Sequence, residues 1–459
     1  MPRLATLLTA LIFSAAVAIY FVPPPAGVTA NVMHAGALLV LVMGLWAIGS
    51  LPEYFVALIF FTLAILLQVA APTVIFSGFA SGTLWLVLGG LVIAEAVRST
   101  GLGERIARLA LGTQTLSYRK LVTASVLVSL ALSFLMPATV ARILLLVPIM
   151  AAVSERHGFT RGSMGYTGVM LATILATFQC GTAILPANAP NLVLAGAAET
   201  LYGVQLIYAE YLWAQFPVMG LLKGWLIIIM VCRLCPAETR MGAAAEELPP
   251  MSAEEKRLAV IVFASLALWA TDFLHGIRPG WIALAAAVIA MMPRVGAVPV
   301  SIFQERVRFG TFFYIGGILG LGAMMIETGL SVAIGNAVLG LFRLEPGADV
   351  ANFAVLSLLS TFAGLITTNP SQPALMAPLA GHFAEATGWP LKTALMTSAI
   401  GFSTVILPYQ VPPVVVGLQL AQLSVQTAMR VTVPLAAISI VALIPLNYVW
   451  WRVIGYFGN

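Results

Sequence analysis

Apolar residues run in blocks long enough to cross a bilayer, and polar residues collect in the short gaps between them. A hydrocarbon core about 30 Å thick needs roughly 20 apolar residues of helix. Windows of this kind lie at residues 4–22, 34–50, 53–71 and 82–100, and again at about 208–232, 257–273, 280–293, 309–328 and 431–450. The runs are continuous, as in Trp225 to Val231 (WLIIIMV), so they predict helices rather than the alternating strands of an outer-membrane barrel. Four further stretches are interrupted: 121–154 near Met136-Pro137, 163–200 at Leu185 to Asn191 (LPANAPN), 351–385 at Thr367-Thr368-Asn369-Pro370, and 392–424 at Pro408 to Pro413. Proline removes a backbone donor and clashes with the preceding turn, so each interruption predicts a helix end. We read 121–154 and 351–385 as reentrant hairpins and the other two as broken crossing helices. Gly103 to Ser117, with Arg105 and Arg108 on a polar side, predicts an amphipathic helix in the interface. A second arm, apolar and glycine-containing, runs from Leu330 to Phe342. The fold class is an all-α polytopic membrane protein with about 11 spans, two hairpins and two broken helices.

The amino terminus, Met1-Pro2-Arg3 and then apolar residues from Leu4 to Val22, has the outline of a signal peptide, with Val28-Thr29-Ala30 as a cleavage site. Its apolar stretch exceeds the roughly 7–15 residues of a signal core, which predicts a retained first span. Residues 236–256, holding Glu246, Glu247, Glu254, Glu255 and Lys256, read as a solvated cytoplasmic linker between halves 1–235 and 257–459.

The halves repeat. Ile184-Leu185-Pro186 followed by Asn188 and Pro190 matches Ile406-Leu407-Pro408 followed by Gln410 and Pro412, an offset of 222. Leu144 to Pro148 matches Ala374 to Pro378 at 230, Gly89-Gly90 matches Gly316-Gly317 at 227, and Thr100-Gly101 matches Thr328-Gly329 at 228. A near-constant offset is the mark of internal duplication. Paired breaks in oppositely inserted repeats mark secondary transporters, with the binding site at the breaks near the midplane. There, helix N-termini expose partly positive N–H groups that suit anions, and freed carbonyls suit small cations.

Composition narrows the classes. Only 8% of the 459 residues are charged and 61% are hydrophobic, which excludes a soluble enzyme. The net charge of +5 reflects basic cytoplasmic loops rather than nucleic acid. With the amino terminus inside and both hairpins reentrant, 16 of the 22 Lys and Arg residues face the cytoplasm. Arg278, Arg343, Lys392 and Arg452 fall outside, and Arg142 and Lys223 lie within the membrane. This excess gives the two halves opposite orientations. No phosphate-binding loop and no nucleophile–base set stands out, so neither an ATP-driven pump nor an enzyme is expected. Cys232 and Cys235 lack a second pair and read as ordinary cysteines, and His382 with Glu385 lacks the further ligands of a metal site. Glu95 and Arg98 are spaced to pair on one helix face.

At its four breaks the chain resembles the divalent anion/sodium symporter family of the ion transporter superfamily, which carries dicarboxylates, citrate and sulfate. That family has a Ser-Asn-Thr motif at each hairpin tip and a Thr-Pro-Pro-Asn break in each following helix. Here the tips read Ala138-Thr139-Val140 and Thr368-Asn369-Pro370, and the breaks read Pro186 to Asn191 (PANAPN) and Tyr409 to Val414 (YQVPPV). Gly89 to Gly103 and the closing Asn447 to Arg452 (NYVWWR) also match, so the likeness covers nearly the whole chain. It implies an elevator-type homodimer of the bacterial inner (cytoplasmic) membrane. Scaffold spans would occupy 1–120 and 257–345, and hairpins and broken helices 121–235 and 346–459. No cofactor is expected, and sodium is the coupling ion the resemblance implies.

Thr139, Arg142, Asn188, Thr368, Asn369 and Gln410 are the expected substrate contacts. Ala138, Thr139, Ala187, Thr367, Asn369 and Tyr409 are the candidate cation ligands. Arg142 lies one turn past the first tip, opposite Gln372 in the repeat, and a charge there costs roughly 2.5–3.5 kcal/mol to insert. It is expected to pair bidentately with an anionic substrate, the alternative being a partner such as Glu95 or backbone carbonyls. Lys223 is either a second anion contact, a substitute for a lost sodium, a snorkelling side chain, or one member of a pair with a buried carboxylate. The expected function is secondary transport of a small anion, a di- or tricarboxylate or related oxyanion such as sulfate or sulfonate, by sodium symport or anion exchange. The rivals are an anion channel and a carrier of a non-carboxylate substrate.

Overall fold

A computed structural model describes residues 2–25, 27–111, 116–239 and 249–458. All regular structure among them is helical. The first half comprises α1 (Pro2–Phe21), α2 (Ala30–Ile48), α3 (Glu53–Leu66), α4 (Gly82–Thr100), α5 (Leu102–Leu111), α6 (Tyr118–Leu135), α7 (Thr139–Arg156), α8 (Met164–Gln179), α9 (Ala189–Tyr202) and α10 (Tyr208–Leu234). The second comprises α11 (Ala253–Ala270), α12 (Pro279–Met291), α13 (Phe309–Glu327), α14 (Leu330–Leu341), α15 (Asp349–Ile366), α16 (Gln372–Met376), α17 (Ala380–Thr387), α18 (Leu391–Ser403), α19 (Pro412–Leu420) and α20 (Val425–Val453). By length and composition seven of the described helices can cross a bilayer, namely α2, α4, α6, α10, α13, α15 and α20.

Local chemistry sets these ends. Thr29, Ser163, Ser252 and Ser424 accept backbone N–H bonds that cap α2, α8, α11 and α20. Gly101 (φ 84°) and Gly329 (φ 79°) make the sharp turns from α4 into α5 and from α13 into α14. A left-handed backbone at both sites explains why Thr-Gly recurs there. The longest crossing helices, α10 and α20, each contain a π-helical segment, Phe216–Leu222 and Ser439–Leu443.

The linker is shorter than expected. Helix α11 begins at Ala253, because Ser252 and Glu255 form a capping box. Glu255 is buried rather than solvated, and it accepts bonds from Arg105 Nε (3.0 Å) and Nη2 (3.1 Å), tying α5 to α11. Arg105 is therefore not on a free polar face, whereas Arg108 is exposed and pairs with Glu104. Residues 112–115, Arg240, Glu246 and Glu247 lie outside the described residues.

Helices α4 and α12 cross in close contact. A Cβ on Gly280 would lie 2.0 Å from the Gly82 carbonyl oxygen, and one on Gly89 would lie 2.5 Å from the Ala283 carbonyl carbon. Small residues at such crossings let helix backbones approach where lipid supplies no hydrophobic drive. At the centre the halves interlock: α9 packs on α16 and α18, and α19 packs on α7 and α8. The site is built where these elements converge.

Candidate functional site

Helix α6 ends before Pro137, and α7 starts at Thr139 with Ala138 as a cap whose methyl side chain makes no hydrogen bond. Helix α8 ends at Gln179, and the chain runs through two short 3₁₀ turns before α9 starts at Ala189. Both breaks free carbonyl oxygens that must find donors, because apolar surroundings supply none. Arg142 supplies them. Its side chain is 0% exposed. Nη1 donates to the carbonyl oxygens of Met136 and Ala187 (2.9 Å for Ala187), and Nη2 to that of Thr177 (3.0 Å) and to Asn188 Oδ1 (2.9 Å), with Thr139 Oγ1 at 3.4 Å. Only Nε lacks a partner.

This arrangement differs from the expected bidentate grip on a substrate. The four terminal N–H hydrogens are committed to three carbonyls and one amide oxygen. Glu95 is not its partner, since Glu95 pairs with Arg98 and lies 3.8 Å from Arg306. Thr139 and Asn188 also turn inward: the Thr139 hydroxyl donates to Asn188 Oδ1, and Asn188 Nδ2 donates to the Phe178 carbonyl (2.8 Å). Gly181 permits this packing, for a Cβ there would lie 3.0 Å from Arg142 Nη2 and 3.1 Å from Asn188 Oδ1.

The second tip and break use amides where the first uses a guanidinium. Asn369 N donates to the Gln410 carbonyl (2.8 Å), and Asn369 Nδ2 donates to the Phe402 carbonyl at the end of α18 (2.6 Å). Gln410 Oε1 accepts from Ile406 N (2.8 Å) and Leu407 N (2.7 Å), holding the break open. Thr368 Oγ1 lies 3.1 Å from Ser371 Oγ, which bonds Tyr314 on α13 (2.8 Å). Thr367 bonds back to Ala363 within its helix (2.9 Å), and the half-exposed Tyr409 hydroxyl donates to the Leu365 carbonyl (3.0 Å). Ala138 and Ala187 bring only backbone: the Ala187 oxygen already faces Arg142, and the Ala138 oxygen accepts a helical bond from Arg142 N. Gln372 is fully buried, and neither end of its amide has a partner.

A third group joins the two breaks, and most of it carries no signal in the sequence. Ser403 Oγ donates to Thr182 Oγ1 (2.8 Å), and Tyr211 donates to the Thr182 carbonyl (2.9 Å). Lys223, 0% exposed and directly after the π segment of α10, donates to the Ser403 carbonyl (2.5 Å). A π segment adds a residue to the turn and re-aims the side chains beyond it, a common device at functional sites. Snorkelling is therefore not the arrangement of Lys223. Among the described residues the two tips meet through the breaks rather than through a direct bond.

The carbonyls freed at the ends of α8 and α18, those of Thr177, Phe402 and Ser403, all face protein N–H donors. None of the ion pairs among the described residues includes Arg142 or Lys223. Two cationic side chains thus sit at the centre of an apolar bundle with no carboxylate beside them.

The chain is 28% identical over 394 residues to a membrane protein of Cupriavidus necator, covering 83% of this chain and 76% of that one. It is 24% identical over 358 residues to the L-tartrate/succinate antiporter of Escherichia coli strain K12, covering 73% and 72%. Among solved structures it is similar to the YdaH transporter of Alcanivorax borkumensis (TM-score 0.57, 16% identity, 84% and 88% covered). It is also similar to MtrF of Neisseria gonorrhoeae, described among antimetabolite efflux pumps (TM-score 0.51, 16% identity, 98% and 94% covered). These two likenesses speak for a shared transporter fold. The family profile described as the sodium:sulfate symporter transmembrane region matches residues 3–457. The chain therefore belongs to the sodium:sulfate symporter family, the divalent anion/sodium symporters, and is a transporter rather than an enzyme.

Proposed function

We propose that this transporter exchanges small dianions, dicarboxylates foremost, and does so without sodium. The observation that carries the reading is the pair of buried cations, Arg142 and Lys223, with no acidic partner. An anion bearing two negative charges neutralises both. It would lie against the N-termini of α7, α9 and α19, near Thr139, Asn188, Thr368, Asn369 and Gln410, in the field of those two charges.

The same pair argues for exchange. Each unpaired charge costs roughly 2.5–3.5 kcal/mol in the bilayer centre, so moving the empty site adds on the order of 5 kcal/mol to its barrier. That slows return of the empty carrier by roughly three to four orders of magnitude, and reloading becomes the favoured way back. A sodium symporter needs cation sites, yet the carbonyls that would line them are taken by Arg142, Asn369 and Lys223. The family likeness to a tartrate/succinate antiporter points the same way. We read the motion as an elevator shift of residues 121–235 and 346–459 against a dimeric scaffold, with inverted repeats and a cytoplasmic amino terminus.

The test is a panel of labelled anions offered to proteoliposomes preloaded with the unlabelled compound. Succinate, tartrate or a related dianion should enter, and monocarboxylates and zwitterions should not. Equal uptake of monoanions would overturn the reading.

A further inference from the structure

We propose that the end of the molecule where α9 finishes and α4 begins carries a reciprocal carboxylate clasp that holds the transporter in the arrangement seen. The inference rests on the elevator motion proposed for this carrier and adds the device that sets its resting position. Residues 1–120 and 257–345 form one side of the boundary, and 121–235 with 346–459 form the other.

Glu199, in the last turn of α9, reaches across this boundary to the first turn of α4. It accepts from Ser81 Oγ (2.8 Å), Gly82 N (3.1 Å), Thr83 N (3.1 Å) and Thr83 Oγ1 (3.1 Å). It also pairs with Arg278 Nη1 (2.7 Å), just before α12. A carboxylate from one side thereby caps a long helix of the other, where N–H groups lack intrahelical partners and the helix dipole favours negative charge. Asp272, in the one-turn helix Asp272–His275 between α11 and α12, makes the converse contact. Its Oδ2 accepts from Tyr208 N (2.7 Å), the first residue of α10. Gln205, in the amide orientation its bonds require, accepts from Arg278 Nη2 (3.0 Å) and Nε (2.8 Å). These contacts surround a cavity of about 110 Å³ lined from both sides, by Thr83, Asp272 and Arg278 and by Leu185, Glu199 and Gln205. Elsewhere the same boundary has apolar contacts, as where Gly196 of α9 meets Leu319 of α13, and a neutral hydroxyl pair, Tyr314 with Ser371 (2.8 Å). Apolar surfaces slide with little change in energy, whereas cap exchange is lost within a few ångströms. The clasp therefore adds a charge-assisted hold at one position along the track, and sliding must leave both helix ends uncapped or hydrated.

The experiment uses the full-length protein in liposomes with its native cysteines replaced. Spin labels at Leu274 and Val350, both exposed and on opposite sides of the boundary, report the arrangement by their distance distribution. Glu199→Ala and Asp272→Asn should each lower the ratio of clasped to shifted molecules about tenfold, the effect of losing one charge-assisted set of bonds. Glu199→Gln, which keeps shape but sheds charge, should give a smaller shift in the same direction. Separately, Ser81→Cys with Glu199→Cys, joined by a short bifunctional thiol reagent, should stop exchange until the link is cleaved. Full transport with the link in place would overturn the sliding reading itself. A link that blocks transport together with unchanged distance distributions in Glu199→Ala and Asp272→Asn would leave that reading intact and overturn the clasp.

Discussion

Replacing Arg142 with alanine should make the protein's stability depend on sodium. The side chain satisfies the carbonyl oxygens of Met136, Thr177 and Ala187 and the Oδ1 of Asn188. Removal strands three buried carbonyls, each worth about 1–3 kcal/mol when left unpaired, while Asn188 Oδ1 keeps its bond from the Thr139 hydroxyl. Against this stands the roughly 3 kcal/mol recovered by no longer holding a charge in apolar surroundings. The net loss is about 3 kcal/mol at mid-range. The truncation leaves a pocket of three carbonyls and an amide oxygen, a ligand set suited to a small hard cation. Sodium at a hundred times its dissociation constant would restore about 2.7 kcal/mol. The assay is thermal unfolding of purified Arg142→Ala and wild type in sodium chloride and in choline chloride at equal ionic strength. Wild type should melt alike in both, whereas the variant should melt lower in choline and recover in sodium. Arg142→Lys, with three donors on one ammonium, should fall between them in choline. A variant as stable as wild type, or a wild type stabilised by sodium, would refute the reasoning.

Lys223→Met removes one of the two unpaired cations, so exchange should shift in preference from dianions toward monoanions, as read by competition between succinate and a monocarboxylate. Gln372→Leu deletes an amide with no partner at either end, so the melting temperature should hold or rise; a loss above about 2 kcal/mol would mean that the amide is bonded after all. Gly280→Ala drives a Cβ to within 2.0 Å of the Gly82 oxygen and should cost about 1–3 kcal/mol by forcing α4 and α12 apart, visible as poorer yield of folded protein from membranes. Ser252→Ala removes the cap of α11 and should cost about 1 kcal/mol in thermal unfolding, with Arg105 losing its positioned partner Glu255.

Helices and breaks are legible in the sequence because length and proline act locally. The interruptions at Met136-Pro137, at Leu185 to Asn191, at Thr367 to Pro370 and at Pro408 to Pro413 coincide with helix ends in the structure. Arg142 stands out as a charge in an apolar run, but its partners do not, since three are backbone carbonyls and any residue type can present one. The contact between Thr182 and Ser403 spans 221 residues with two ordinary hydroxyls, and no local pattern announces it. Glu255 shows the opposite failure: the Ser-x-x-Glu spacing of a capping box is present in the sequence, yet the polar composition of 236–256 points toward a solvated linker. Glu199 is silent for the same reason as the Arg142 partners, because what it binds is chiefly the start of another helix.

That two tethered cations replace coupling ions and oblige exchange is tested most directly by counterflow. Proteoliposomes are prepared with and without an internal dianion, and labelled dianion uptake is followed with sodium or choline as the only external cation. An obligate, sodium-free exchanger gives rapid uptake into loaded vesicles at the same rate in both salts, and almost none into empty ones. Concentrative uptake into empty vesicles driven by an inward sodium gradient would contradict it.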